Sequence, residues 1–224
     1  LLAAAVAGAG PVDSRRFNEL TAAGAQTAVN GSFEEPARDE RLPRGWGVPE
    51  AVGERFSWVT GAVDAVHGTA FVHFEPSDRR YLYGTAAAVP TGPYRLTVWA
   101  RGTGELSLVA TLRAPNWRAQ TNPVAFRASG PWHSVDTPDW QAFSFDVEFP
   151  ALVRTDEGER APGHAGVQVG ARGTLDIDLV SLVPRDRAAA SERGTPTPSP
   201  ATASGGLPRP RLVVGTARTP PDID

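Results

Sequence analysis

Gly173-Thr-Leu-Asp-Ile-Asp-Leu-Val-Ser-Leu-Val-Pro184 is the stretch whose reading decides the fold. Leu175, Ile177 and Leu179 alternate with Asp176 and Asp178, the period of two of a strand with one face buried and the other wet. Gly173 and Pro184 bracket it, and the composition changes after it. It reads as the closing strand of a sandwich.

Working back from it, residues 28–184 predict strands near 28–34, 56–60, 69–75, 80–88, 93–101, 105–113, 122–127, 140–148, 165–171 and 174–183. Pro76-Ser-Asp78, Pro90-Thr-Gly-Pro93, Gly102-Thr-Gly104, Ser129-Gly-Pro131 and Thr137-Pro-Asp139 stand between them as turn chemistry. Many short strands at this spacing, with no long helical period, predict an all-β fold, an antiparallel sandwich.

The flanks differ. Residues 1–27 open on the apolar run Leu1-Leu-Ala-Ala-Ala-Val-Ala-Gly-Ala-Gly10, which reads as the end of a signal peptide or membrane anchor. Ten residues are too few to span a bilayer, which takes about 20. Asp13 or Ser14 is expected to cap a short helix running to about Ala23, with Phe17 and Leu20 on one face. Residues 185–224 form a Pro-, Ser- and Thr-rich tail expected to be extended. Within it Leu207, Arg209, Arg211, Leu212, Val213 and Val214 make a short apolar and basic patch between prolines, suited to docking on a partner as an added strand or extended peptide.

Composition excludes several chemistries. All 22 basic residues are arginines, set against 25 acidic ones without a basic stripe, so nucleic acid is not an expected partner. The absence of Cys rules out disulfides, thiolate metal sites and cysteine nucleophiles. His67, His73, His133 and His164 lie in unrelated contexts, and no hydrolase or phosphate-cradling motif is present. No enzyme activity is expected.

Five motifs in order carry a family resemblance: Asn30-Gly-Ser-Phe-Glu34, Gly45-Trp46, Tyr94-Arg-Leu-Thr-Val-Trp-Ala100, Trp140-Gln-Ala-Phe-Ser-Phe145 and Leu175-Asp-Ile-Asp-Leu-Val-Ser-Leu182. Over residues 28–184 the chain resembles the carbohydrate-binding modules of the xylanase and cellulase type, which implies a galactose-binding-like jelly roll. The resemblance also implies a structural calcium between the first and last strands, at Glu34 and Asp178. The family often has a second acid beside the last one, where this chain has Leu179. Two solvated carboxylates, or carboxylates held by backbone amides, are the alternative.

Glycan binding, the family's usual work, needs aromatic faces and polar groups outside the core motifs. Trp117 and Trp132, with Asn116, Arg118, Gln120 and His133 nearby, are the candidate ligand residues, and Trp58 and Tyr83 are weaker ones. Trp117 and Trp132 equally suit pinning a long loop or a protein interface. Two functions follow. The favoured expectation is a non-catalytic accessory subunit outside the cytoplasm, periplasmic or at the cell surface, anchored at its apolar amino end and docked by its extended ends on protein partners in a membrane-associated assembly. The other is a polysaccharide-binding module.

Overall fold

The computed structural model describes residues 12–38, 42–48, 55–115 and 124–189. In chain order the elements are α1 (Ser14–Ala22), β1 (Trp46–Gly47), β2 (Phe56–Val59), β3 (Phe71–Phe74), β4 (Arg80–Thr85), β5 (Gly92–Arg113), β6 (Val124–Ser129), β7 (His133–Phe149), β8 (Val153–Thr155), β9 (Gly158–Arg160), β10 (His164–Pro184) and α2 (Arg185–Ala189). The fold is an antiparallel β-sandwich of the jelly-roll type, made by folding one large sheet on itself.

The fold line crosses β5, β7 and β10. Residues 93–101 and 105–113, expected as two strands, are one strand, and so are 165–171 and 174–183. Gly102-Thr-Gly104 is therefore a bend inside a strand rather than a turn between strands. There β5 and β10 pass so closely that a Cβ on Gly102 would run into the Thr174 carbonyl oxygen, and one on Gly104 into that of Arg172. Only glycine permits that approach.

On one side of the bend lies sheet I: β1, β4, residues 164–171 of β10, residues 106–113 of β5, and β6. On the other lies sheet II: β2, β3, residues 175–184 of β10, residues 92–100 of β5, and residues 141–149 of β7. Leu82, Leu108 and Val167 from sheet I meet Phe74, Leu96 and Ile177 from sheet II in a single core. Burial of this apolar surface is the main stabilising term.

Residues 28–34, expected as the first strand, form no strand. They make tight turns, with Asn30 at φ 46° and Phe33 at φ 60°. They lie against β10 where its register against β5 shifts between Asp178 and Ser181, with Val180 N donating to Gly31 O at 2.7 Å and Thr27 N to Leu182 O at 3.0 Å. This bulge moves the core-facing side chains from 175 and 177 to 180 and 182 and turns Leu179 and Val183 to the outside. The alternation read through Leu179 thus ends at Ile177. Beside the bulge the Gln26 side-chain amide adds to this pairing, donating to Val180 O at 3.0 Å and accepting from Leu182 N at 2.8 Å.

Leu179 and Val183 are covered by α1 and its flanks, with Phe17 and Leu20 of the helix and Val12 and Ala25 on either side of it packed on the outer face of sheet II with Trp99 and Val66. Asp13 caps this helix by accepting from Arg16 N at 2.8 Å. Trp99 Nε1 donates to Val12 O at 2.7 Å and ties the entering chain down. Among the described residues no helix is long and apolar enough to cross a membrane.

Candidate functional site

α1 covers the outer face of sheet II, whereas no helix among the described residues packs on the outer face of sheet I. Its strands alternate, so Tyr81, Tyr83 and Thr85 of β4 share that face with Gly166, Gln168 and Gly170 of β10 and with Ser107, Val109 and Thr111 of β5. Two of the three outward positions on the central strand are glycines, which leaves a trough. A Cβ on Gly170 would come within 2.9 Å of the Tyr81 ring and 3.0 Å of the Trp132 ring, so both rings settle against bare backbone.

The trough is aromatic along one side. Tyr81 and Tyr83 lie 6.4 Å apart between ring centroids, and Tyr81 and Trp132 also 6.4 Å. Tyr83 is 41% exposed, a large aromatic surface left to solvent. Arg79 sits 4.4 Å over the Trp132 ring, and Arg127 reaches across from β6 to 5.3 Å from the Tyr81 ring.

Past Tyr83 the trough opens into a cavity of about 190 Å³. Its polar lining is Thr85, Thr111, Arg113, His164 and Gln168. Gln168 is only 6% exposed, and its Oε1 accepts no hydrogen bond among the described residues. A buried acceptor without a donor costs about 1–3 kcal/mol, a cost that a bound hydroxyl would remove. His164 is held below its ordinary pKa by burial and by the nearby Arg113 charge, so at pH 7 it is a neutral donor and acceptor.

Of the residues expected to bind ligand, Trp132 and Tyr83 stand on this face. His133, next to Trp132, turns the other way and packs its ring 5.4 Å from Phe143. Trp58 lies against the core and donates from Nε1 to Phe33 O at 2.9 Å. Asn116, Trp117, Arg118 and Gln120 lie outside the described residues, as do the docking residues Leu207, Arg209, Arg211, Leu212, Val213 and Val214. Sequence reasoning missed Tyr81, Thr111, Arg113, Arg127, His164 and Gln168. A signal was there in Gly166-Val-Gln-Val-Gly170, where the outward positions of a strand are glycines around one amide.

Glu34 and Asp178 are brought to the same loop on the other side of the sandwich. Glu34 Oε1 accepts from Thr69 N at 2.9 Å and Ala70 N at 2.8 Å. Asp178 accepts from Val66 N at 2.8 Å, His67 N at 3.0 Å and Leu179 N at 2.6 Å. Asp178 is fully buried, and burial pushes its carboxyl up to about 7; the amides oppose this and the Glu34 charge adds to it. Both carboxylates are thus held by backbone amides, the alternative arrangement; as oxygen ligands they also fit a hard cation, whose charge would favour the ionised form of Asp178. No third acidic or histidine side chain joins them among the described residues, so a cation there would take its other oxygens from backbone carbonyls and water.

No family model matches the chain, and no curated protein does. Among solved structures the chain is similar to the CBM22-1 xylan-binding domain from Paenibacillus barcinonensis, at 9% identity and TM-score 0.47, over 72% of this chain and 96% of that one. It is similar to the carbohydrate-binding module TmCBM61, determined in complex with β-1,4-galactotriose, at 15% identity and TM-score 0.45, over 71% and 98%. A cyclase from Fischerella sp. TAU is similar too, at 15% identity and TM-score 0.46, over 70% and 96%.

Proposed function

We propose that the outer face of sheet I binds a glycan. The observation that carries this is Gln168: a buried amide with an unpartnered oxygen in the wall of a cavity, beside the exposed ring of Tyr83. Sugar rings present apolar C–H faces to aromatic side chains and hydroxyls to neutral polar groups, and this face offers both. The assembly reading rests on residues outside the described ones and stays an expectation of the sequence.

Affinity electrophoresis of the full chain in gels holding xylan, β-1,4-galactan, polygalacturonic acid or dextran tests the proposal. The chain should be retarded by at least one of them, and Tyr83→Ala should weaken that retardation at least about tenfold, the loss of one stacking face. Gln168→Leu should weaken it similarly while keeping or raising the melting temperature, because it removes an unsatisfied acceptor. Migration unchanged in every gel, or both variants binding like the parent chain, would sink the proposal.

We further propose calcium at Glu34 and Asp178, supported by two carboxylates gathered on the 66–70 loop with no cationic side chain hydrogen-bonded to either among the described residues. At a free concentration of 100 Kd, a bound ion adds about 2.7 kcal/mol. Melting in excess chelator should therefore occur several degrees below melting in calcium. Superimposable curves would remove the ion.

A further inference from the structure

We infer that Asn30-Gly31 is a site of spontaneous deamidation that the native turn holds off, and that the reaction, once it has run in an opened chain, bars the turn from re-forming. Asn30 is the only asparagine of the chain followed by glycine. With no side chain on the next residue to hinder it, the backbone nitrogen there closes readily on the asparagine side chain.

Water is the only co-reactant. Gly31 N gives up its proton and bonds to Asn30 Cγ, the Cγ–Nδ2 bond breaks, and Nδ2 leaves as ammonia carrying that proton. Water then opens the cyclic imide at either carbonyl. One opening leaves a side-chain carboxylic acid, and the other an isoaspartyl link that lengthens the main chain by a carbon. Nothing is oxidised or reduced.

The fold demands this labile pair. Asn30 has φ 46°, a left-handed conformation that asparagine tolerates and most residues do not. Its Nδ2 donates to Glu35 O at 2.8 Å and Arg44 O at 3.2 Å, and its Oδ1 accepts from Glu35 N at 3.0 Å. Gly31 lies so close to β10 that a Cβ would overlap the Val180 carbonyl oxygen. The same contacts oppose the reaction, because the amide is held on residues 35 and 44 and Gly31 O is bonded to Val180 N at 2.7 Å. The turn also closes on Phe33, whose N donates to Asn30 O at 3.0 Å and whose ring is fully buried. Imide closure therefore waits for the turn to open.

The product does not fit the place it came from. A carboxylate only accepts hydrogen bonds, and here it would face the carbonyl oxygens of Glu35 and Arg44. A lengthened main chain has no slack to occupy, since Val29 N is bonded to Thr85 O at 2.9 Å on one side and Gly31 O to Val180 N on the other. Chains modified while open are thus lost to refolding.

The full chain, incubated at mildly alkaline pH in buffer and in guanidinium chloride beyond its unfolding transition, tests this by peptide mapping with mass spectrometry. Conversion at Asn30 should be at least about tenfold slower in buffer, where only the opened fraction reacts. Equal rates in the two media overturn the inference. After dilution from denaturant, the yield of native tryptophan fluorescence should fall in step with conversion at Asn30. Asn30→Gly, which keeps the left-handed turn and cannot react, should refold to the same yield however long it is held unfolded. Full recovery of converted chains, or a decline in Asn30→Gly as steep as in the parent, overturns the claim that conversion blocks the turn. Asn30→Asp should melt several degrees below the parent, and superimposable curves overturn that claim as well. The rate comparison uses the unaltered chain and decides even where a variant does not fold.

Discussion

Gly173→Val is expected to leave little folded protein at 25 °C. Gly173 sits at the fold line of β10 with φ 94°, a conformation that a β-branched residue does not tolerate. A Cβ there would meet the Thr103 carbonyl oxygen at 2.5 Å and the Gly104 Cα at 2.8 Å. Both obstacles are backbone of the neighbouring strand, so no side chain can swing aside. Strain of about 1–3 kcal/mol for the backbone, added to the separation of β5 from β10, puts the total above about 4 kcal/mol. That is a large part of the roughly 5–15 kcal/mol that holds most domains together. Gly158 is the control: its φ is 102°, but nothing stands within 4 Å of its missing Cβ. Gly158→Asn should cost about 1 kcal/mol or less. Urea unfolding followed by tryptophan fluorescence measures both. A Gly173→Val midpoint close to that of Gly158→Asn would show that the bend does not depend on contact between bare backbones.

Phe33→Ala is expected to cost about 3–5 kcal/mol, and Phe33→Gly no more than that. Phe33 is fully buried and stacks edge to face on Trp46 with centroids 5.0 Å apart. Its carbonyl also receives the Trp58 indole N–H. Truncation therefore empties a site that two tryptophans surround. Normally glycine is worse than alanine by roughly 0.5–1 kcal/mol. Here φ is 60°, which alanine must bear as strain and glycine does not, so the order should level or reverse. Equilibrium unfolding of the two variants decides. Alanine clearly more stable than glycine would mean that Phe33 relaxes out of the left-handed conformation once its ring is gone.

Much of the fold was legible because it rests on local rules. The alternation in 174–177, the Asp13 cap with Phe17 and Leu20 behind it, and the turn residues at 76–78 and 90–93 each follow from a few neighbouring residues. The bend at Gly102 to Gly104 was not legible as a bend, because its glycines serve a contact with residues about 70 positions away rather than a turn. The bulge after Asp178 hides for a similar reason. Leu179 continues the alternation in sequence, and only the helix waiting outside rewards turning it over. The candidate site was legible in its aromatics, Trp132 and Tyr83. Arg79, Arg113 and Arg127 look scattered along the chain, and strand pairing brings them to one surface. Gln168 escaped notice because an amide in an apolar strand shows its isolation only when its surroundings are known.

β10 separates β3 from β4 and both from β5, and none of these three pairs directly with another. It is also the last strand of the sandwich to leave the ribosome. Until residue 184 has emerged, the described strands of the nascent chain can form, besides the separate β8–β9 hairpin, only a β1–β4 ribbon, a β2–β3 ribbon and the β5–β6–β7 meander, each with an unpaired edge. The middle of both sheets is thus supplied after every other strand of the sandwich, and the pieces must wait for it unjoined. A chain that stops short of β10 does not lose one strand from a sandwich; it never acquires the strand that makes three fragments one sheet.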